Sequence, residues 1–302
     1  MKDDPRLVFR EQLLSAGLLV ATAVDGLYGR SQPFEAVVAG LERVIDGAAA
    51  DQEATWLRFP PVIARSSFEK TGYLQSFPNL VGSVHAFVGG DREHREILGL
   101  LDEGEDWSTG LVPAEVTLCP AACHPLFEQI VGPVPVSGRH FDVLGWCFRH
   151  EPSLDPARMQ AFRQREVVYA GVEAGAVAHR DLWADRASAL LRDLGLEVEV
   201  VVANDPFFGP AGRLLANDQR DRALKYEVVG TVADPDQVTA IVSANCHEDH
   251  FGRDFGIRLA DGTPMHSACV GFGLERCALA LLRAHGLVVD SWPRVVRERL
   301  SL

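Results

Sequence analysis

The chain has 302 residues, and 42 acidic against 29 basic side chains give it a formal net charge of −13. A 47% hydrophobic content excludes a disordered chain, and the acidic balance leaves no general basic surface with which to neutralise nucleic-acid phosphates. No run reaches the ~18 apolar residues of a membrane span, and the start MKDDPRLVF lacks the basic-then-apolar pattern of a targeting segment. Six cysteines are too few for a disulfide scaffold of this length, so the expected setting is the cytoplasm, with thiols reduced and free to bind metal.

No repeat or low-complexity linker divides the chain, which predicts one domain over 1–302. Residues 6–22 and 34–47 have helical periodicity, the second with Phe34, Val37, Val38, Leu41, Val44 and Ile45 on one face. WLRFPP (56–61) reads as a strand stopped by two prolines. Residues 145–150 (GWCFRH) and 165–169 read as two strands of a long antiparallel hairpin whose loop can close over a ligand. A long helix over 173–194 ends near Gly195 and precedes a strand in LEVEVVVAN; a charged helix covers about 211–222. Strands follow at 225–232, 238–245 and 265–270, then a Gly-x-Gly turn and the helix LERCALALLRAHG. Several strands succeed one another without a crossover helix, which predicts an α+β fold: an antiparallel β-sheet flanked by helices.

Three segments carry chemistry. In the hairpin, Arg149 and Glu151 are two apart and so share a face, where they can hold a phosphate and an amino group. Arg158, Phe162 and Glu166 follow at intervals of four: a ring for stacking and a cation for a terminal phosphate. Any two of these read equally well as a surface salt-bridge pattern, but five around one turn do not. GFGLER (271–276) puts Arg276 in a first helical turn after two glycines. It lacks the third glycine of a dinucleotide fingerprint, and no P-loop occurs in the chain. Cys119, Cys123, Cys269 and Glu166 supply soft thiolates and a carboxylate that suit Zn²⁺ with an open position. His247 and His250 in NCHEDHFG form a competing candidate, while Cys147 and Cys277, among apolar residues, read as core.

Together these segments resemble the class II aminoacyl-tRNA synthetase catalytic domain. FRHE followed by Arg158-x-x-x-Phe162-x-x-x-Glu166 resembles its motif 2 (145–171), GFGLER its motif 3 (265–286), and residues 34–78, through RFPPVIARSSFEKTGYLQSFP, its motif 1 as found in seryl-tRNA synthetases. SANCHEDHFG is similar to their Ser-x-Asn strand. The phrases PAACHPLF, FRHEPSLDPARMQAF, ANDPFFG and HSACVGFGLER resemble most closely a truncated offshoot, the amino acid:[carrier protein] ligases, relatives of the zinc-dependent archaeal seryl-tRNA synthetases.

The resemblance implies a Zn²⁺ held by Cys123, Glu166 and Cys269, with Cys119 departing by position and kept as the rival ligand, and the amino acid's amine on the open metal position. It implies ATP bent over the sheet: catalytic Arg149 on the α-phosphate, Glu151 on the adenine amino group, and Phe162 and catalytic Arg276 around the ring. Met159 also belongs to the ATP site, Arg158 sits near the γ-phosphate, and Mg²⁺ shares the charge. Ser243 on the ATP side, and Lys225 and Asn245 on the amino-acid side, border the adenylate. The implied activity is activation of a small amino acid, glycine or alanine, and its transfer to the phosphopantetheine thiol of an acyl carrier protein. That carrier would dock on a helix within 206–224 through Arg213, Arg220 and Arg222. A homodimer through the motif 1 region is implied. Residues 1–33 are expected as a helical extension, too short for a tRNA-binding arm, and neither tRNA nor a membrane is an expected partner. The alternatives are a tRNA-aminoacylating seryl-tRNA synthetase-like enzyme and a catalytically idle synthetase-like regulatory or binding module; the retained Arg149, Glu151, Glu166 and Arg276 oppose the second.

Overall fold

In a computed structural model, residues 4–208, 216–217 and 219–302 are described. The N-terminal part comprises α1 (Pro5–Ser15), the short strands β1 (Leu19–Ala21) and β2 (Tyr28–Arg30), α2 (Gln32–Ala49) and β3 (Thr55–Arg58). Then come β4 (Val62–Ala64), α3 (Arg65–Lys70), α4 (Tyr73–Ser76), β5 (Ser83–Ala86), α5 (Asp91–Asp102) and β6 (Val112–Leu118). The remainder holds β7 (Arg139–Phe148), β8 (Ala161–Gly171), α6 (Glu173–Asp193), β9 (Val198–Val202), β10 (Lys225–Thr231), β11 (Val238–Glu248), α7 (His250–Asp254), β12 (His266–Gly273), α8 (Leu274–His285) and α9 (Arg294–Leu300).

Seven strands form the main sheet in the order β3-β7-β8-β12-β11-β10-β9. The expected α+β arrangement is what forms, with every neighbouring pair antiparallel except β3 and β7. The chain reaches β7 from β3 through a separate three-stranded sheet, β4-β6-β5, a connection long enough to allow that parallel pairing. At one edge Trp56 of β3 is exposed, with the Arg58 guanidinium 3.7 Å above its ring.

Three local expectations change, and a fourth is described only in part. The helix expected over 6–22 ends at Ser15: Gly17 takes φ +67°, and Leu19–Ala21 pairs with Tyr28–Arg30 instead. The hairpin strands are longer than read, ten paired residues each, so Phe162 and Glu166 lie on β8 while Arg149 and Glu151 lie just beyond the end of β7. Gly271 and Gly273 belong to β12 rather than to a turn, and the helix starts at Leu274. Of the charged helix, residues 216–217 and 219–221 are helical, and Arg213 lies outside the described residues.

One face of the main sheet packs on helices. Val167, Val242, Val270 and Phe272 join Phe34, Val37, Leu41 and Ile45 of α2, Trp183 of α6 and Leu279 of α8 in one cluster. Each such side chain, taken fully out of water, stabilises the fold by about 1.5–3 kcal/mol. Two buried ionic groups sit in this layer. Arg165, fully buried, donates to Asp142 at 2.8 Å through Nε and also pairs with Asp46. Arg163 holds Glu275 through its backbone N–H (2.7 Å) and Nε (2.8 Å), and Glu35 through both terminal nitrogens. The second group ties β8, beside Phe162, to α8, beside Arg276. Replacing one partner of a buried pair strands the other charge, so Arg165→Met is expected to cost about 3–5 kcal/mol in urea unfolding. Adding Asp142→Leu should recover much of that loss.

Candidate active site

The opposite face of the sheet is where the chemistry-bearing residues collect, and strand register explains why. Residues directly paired across strands, and residues two apart along one strand, share a face. Glu166 pairs with Gly271, Gly271 with Ser243 and Ser243 with Glu227; one step along, Cys269 pairs with Asn245 and Asn245 with Lys225. Two adjacent rows thus bring four strands' worth of separated sequence into one patch. The patch floors a cavity of about 560 Å³. Gly145 on β7 admits the overlying segment that carries Cys123, since a Cβ there would meet the Ala122 Cβ at 3.2 Å.

Cys123, Glu166 and Cys269 converge: their ligand atoms all lie within 4.8 Å of one another, and all three residues are buried. Glu166 Oε1 accepts the Ala122 N–H at 3.1 Å, while Oε2 is buried with no hydrogen-bond partner. An orphaned carboxylate oxygen facing two thiols is the donor set a thiophilic divalent ion needs, so the residues fit Zn²⁺. Burial, with the neighbouring Cys269 charge, pushes the Glu166 pKa up to about 8. Hydrogen bonding from the Cys123 thiol, with help from His247 and Asn245, holds the Cys269 thiol well below its ordinary value; that bond and burial push Cys123 up. Cys119 lies outside this group, its thiol donating to the Ala121 carbonyl at 3.1 Å and pushed by burial to about 12. Cys147 and Cys277 are buried in the core.

Of the residues expected around ATP, Arg149, Glu151, Met159, Phe162, Ser243 and Arg276 line the same cavity, and Arg158 does not. The Arg149 guanidinium lies 5.3 Å over the Phe162 ring and donates to the Pro120 carbonyl at 3.2 Å. Arg276 is held by the carbonyls of Ala157 (2.7 Å) and Ala240 (3.1 Å). Met159 is buried against Arg30. Glu151, half-buried, and Arg158, exposed, pair with each other. Lys225 is buried between Asp205 and Glu227, its Nζ 3.0 Å from the latter; burial opposes its charge, but the two carboxylates outweigh it and hold the pKa above normal. Asn245 reaches Ser243 Oγ (3.4 Å) and Cys269 Sγ (3.7 Å).

Of the remaining candidates, Arg220 and Arg222 lie outside the cavity lining, and the two histidines of NCHEDHFG point to different partners. Arg220 and Arg222 are exposed, paired with Asn204 and Glu248 respectively. His250 turns away to the Thr71 carbonyl (3.1 Å) and Asp254 (3.2 Å). His247, by contrast, approaches Cys269 Sγ at 3.4 Å. Asp205 was missed altogether, since nothing in ANDPFFG marks it as the counter-charge of a lysine twenty residues on.

No protein-family model matches the chain. Amino acid–[acyl-carrier-protein] ligase 1 of Bradyrhizobium diazoefficiens is 43% identical over 281 residues, covering 92% of this chain and 86% of that protein. The chain belongs to that ligase family and is a ligase. More distant is the type-2 serine–tRNA ligase of Methanopyrus kandleri, 29% identical over 200 residues, 61% of this chain but 37% of that protein. A crystal structure of M. kandleri SerRS with A. aeolicus tRNASec superposes with a TM-score of 0.82 at 22% identity, over 97% of this chain and 60% of that one. At that identity the likeness shows the class II synthetase fold of the ligase.

The donor geometry makes a direct prediction for metal content. After dialysis against zinc, the native ligase should retain one equivalent by elemental analysis and Cys119→Ala the same, while Cys269→Ala retains none. Equal loss in both variants would overturn the ligand set.

Proposed function

We propose that this ligase uses ATP to convert a small amino acid into an aminoacyl-adenylate on the polar face of its sheet. It then passes the acyl group to the phosphopantetheine thiol of an acyl carrier protein. The observation that carries the reading is the meeting, in one cavity, of the Cys123–Glu166–Cys269 donor group with Arg149, Phe162 and Arg276. Cys123, Glu166 and Cys269 would hold Zn²⁺, which supplies a Lewis-acidic position for an amine nitrogen and so fixes one end of an amino acid.

The chain's own groups do the rest. Arg149, stacked on Phe162, offers its free guanidinium edge to an α-phosphate, while Phe162 and Arg276 flank an adenine. Glu151 and Arg158 exchange each other for the adenine amino group and the γ-phosphate; as an ion pair open to solvent they give up only about 0–1 kcal/mol. Lys225, held charged by Asp205 and Glu227, and Asn245 border the amino acid, and Ser243 the nucleotide. A carboxylate oxygen bonds to the α-phosphorus as the bond to pyrophosphate breaks, with Mg²⁺ sharing the phosphate charge. Positioning and neutralisation supply most of the acceleration. In the second half-reaction the carrier thiol attacks the acyl carbon and AMP departs, with no nucleophile from the ligase.

We take the amino acid to be glycine or alanine; the rings of Phe251 and His247, edge-on with centroids 5.0 Å apart, line the cavity along with Cys269. Arg220 and Arg222 offer exposed positive charge for an acidic carrier.

Amino-acid-dependent ATP–pyrophosphate exchange across all twenty amino acids tests the reading. Exchange should appear with glycine or alanine, vanish on complete removal of zinc, and fall about 10²–10³-fold in Arg149→Ala. Silence with every amino acid in zinc-replete buffer would overturn adenylation, and undiminished exchange without zinc would overturn the metal's part in it.

A further inference from the structure

The mechanism above leaves His247 without a task beyond shaping the wall, yet the backbone is bent to present it. β11 pairs Cys246 with Ala268 and Glu248 with Ser267, so His247 is the extra residue of a β-bulge. Bulges re-aim side chains and concentrate beside active sites. The next residue, Glu248, sits at φ +53°, a left-handed backbone region that side chains other than glycine rarely adopt.

The result is a ring with both nitrogens engaged. Nε2 lies 3.4 Å from Cys269 Sγ, and Nδ1 lies 3.0 Å from Ser267 Oγ. Ser267 precedes Cys269 by two positions on β12 and therefore shares its face. Two aromatic rings stand nearly perpendicular to the imidazole, Phe251 at 5.0 Å and 82° and Phe127 at 6.4 Å and 86°, which limits its rotation about the strand. Among the described residues, the donor atoms close enough together to share an ion are those of Cys123, Glu166 and Cys269 alone. His247 Nε2 approaches one of those sulfurs, that of Cys269.

We propose that His247 is a positioning residue for the metal: its Nε2–H donates to the Cys269 thiolate while Nδ1 accepts the Ser267 hydroxyl. The bond aims the sulfur towards Cys123 and Glu166 and fixes the imidazole tautomer. It also spreads part of the thiolate's charge, a task Asn245 shares at 3.7 Å. Hydrogen-bond partners of metal ligands carry about 10–100-fold in metal affinity. The assignment rests on the zinc reading of the three donors.

Three substitutions separate the hydrogen bond from the ring's bulk: His247→Ala removes both, His247→Phe keeps a ring without a donor, and His247→Gln keeps an N–H. Two readouts apply, zinc dissociation constants by competition with a chromophoric chelator and the thiolate-to-metal charge-transfer band of the Co²⁺-loaded protein. The alanine and phenylalanine variants should bind zinc about 10–100-fold more weakly with a shifted band, and the glutamine variant should recover most of both. A phenylalanine variant with native zinc affinity and an unshifted band overturns the assignment while leaving the zinc reading intact. A native protein that binds no zinc overturns the two together. Should the alanine chain fail to fold, Ser267→Ala carries the test: it should weaken zinc several-fold and move the band, and native values would refute the proposal.

Discussion

A carboxylate oxygen buried in a protein without a hydrogen bond is destabilising, and Glu166 Oε2 is in that position at the centre of the sheet. Its surroundings make sense only as a group. Cys123 arrives on a loop that can lie on the sheet because Gly145 has no side chain, and Cys269 arrives by strand register. His247 arrives through a bulge. Each feature is minor alone, but they converge on one point that protein atoms leave unsatisfied. A divalent ion would satisfy that point, taking the orphaned oxygen and both sulfurs as ligands.

The site is extended around that point by the two sides of the sheet acting together. The face towards the helices is held by apolar packing and by the Arg163–Glu275–Glu35 and Arg165–Asp142–Asp46 groups. The alternating pleat then turns the intervening residues, Phe162, Gln164 and Glu166, towards the cavity. Arg163 and Glu275 are sequence neighbours of Phe162 and Arg276, so the ion pair behind the sheet sets the spacing of the groups proposed to hold adenine. Rigidity is what the proposed adenylation would need, because attack at an α-phosphorus depends on placing charge rather than on any covalent contribution from the protein.

Much of this was legible in the chain, unevenly. The hairpin residues Arg149, Glu151, Arg158, Phe162 and Glu166 are close in sequence, and local spacing was enough to group them. Cys123 and Cys269 are 146 positions apart, and residue chemistry alone leaves Cys119 in the group as well; in space Cys269 meets Glu166 because β12 pairs with β8 in one particular register, and Cys123 joins them on a loop, both non-local properties. The same non-locality hid Asp205 beside Lys225. His247 was seen, but as a rival ligand, since a bulge leaves no mark in the pattern NCHEDHFG. The overlong N-terminal helix shows the reverse error: its apolar period continues past Gly17, and only pairing with Tyr28–Arg30 decides that Leu19–Ala21 is a strand. The early acidic balance still holds as a constraint. With a net charge of −13, the proposed docking of an acidic carrier would call for local positive charge, as proposed at Arg220 and Arg222.

The central claim is that one ion and one nucleotide share the polar face of this sheet. Anomalous diffraction at the zinc edge, from crystals grown with zinc and a non-hydrolysable ATP analogue, tests it most directly. The account predicts one strong anomalous peak about 2.3 Å from the sulfurs of Cys123 and Cys269 and about 2.0–2.2 Å from Glu166 Oε2, with the analogue's α-phosphate beside Arg149. A peak bound elsewhere, no peak at this site, or a nucleotide on another surface would contradict it.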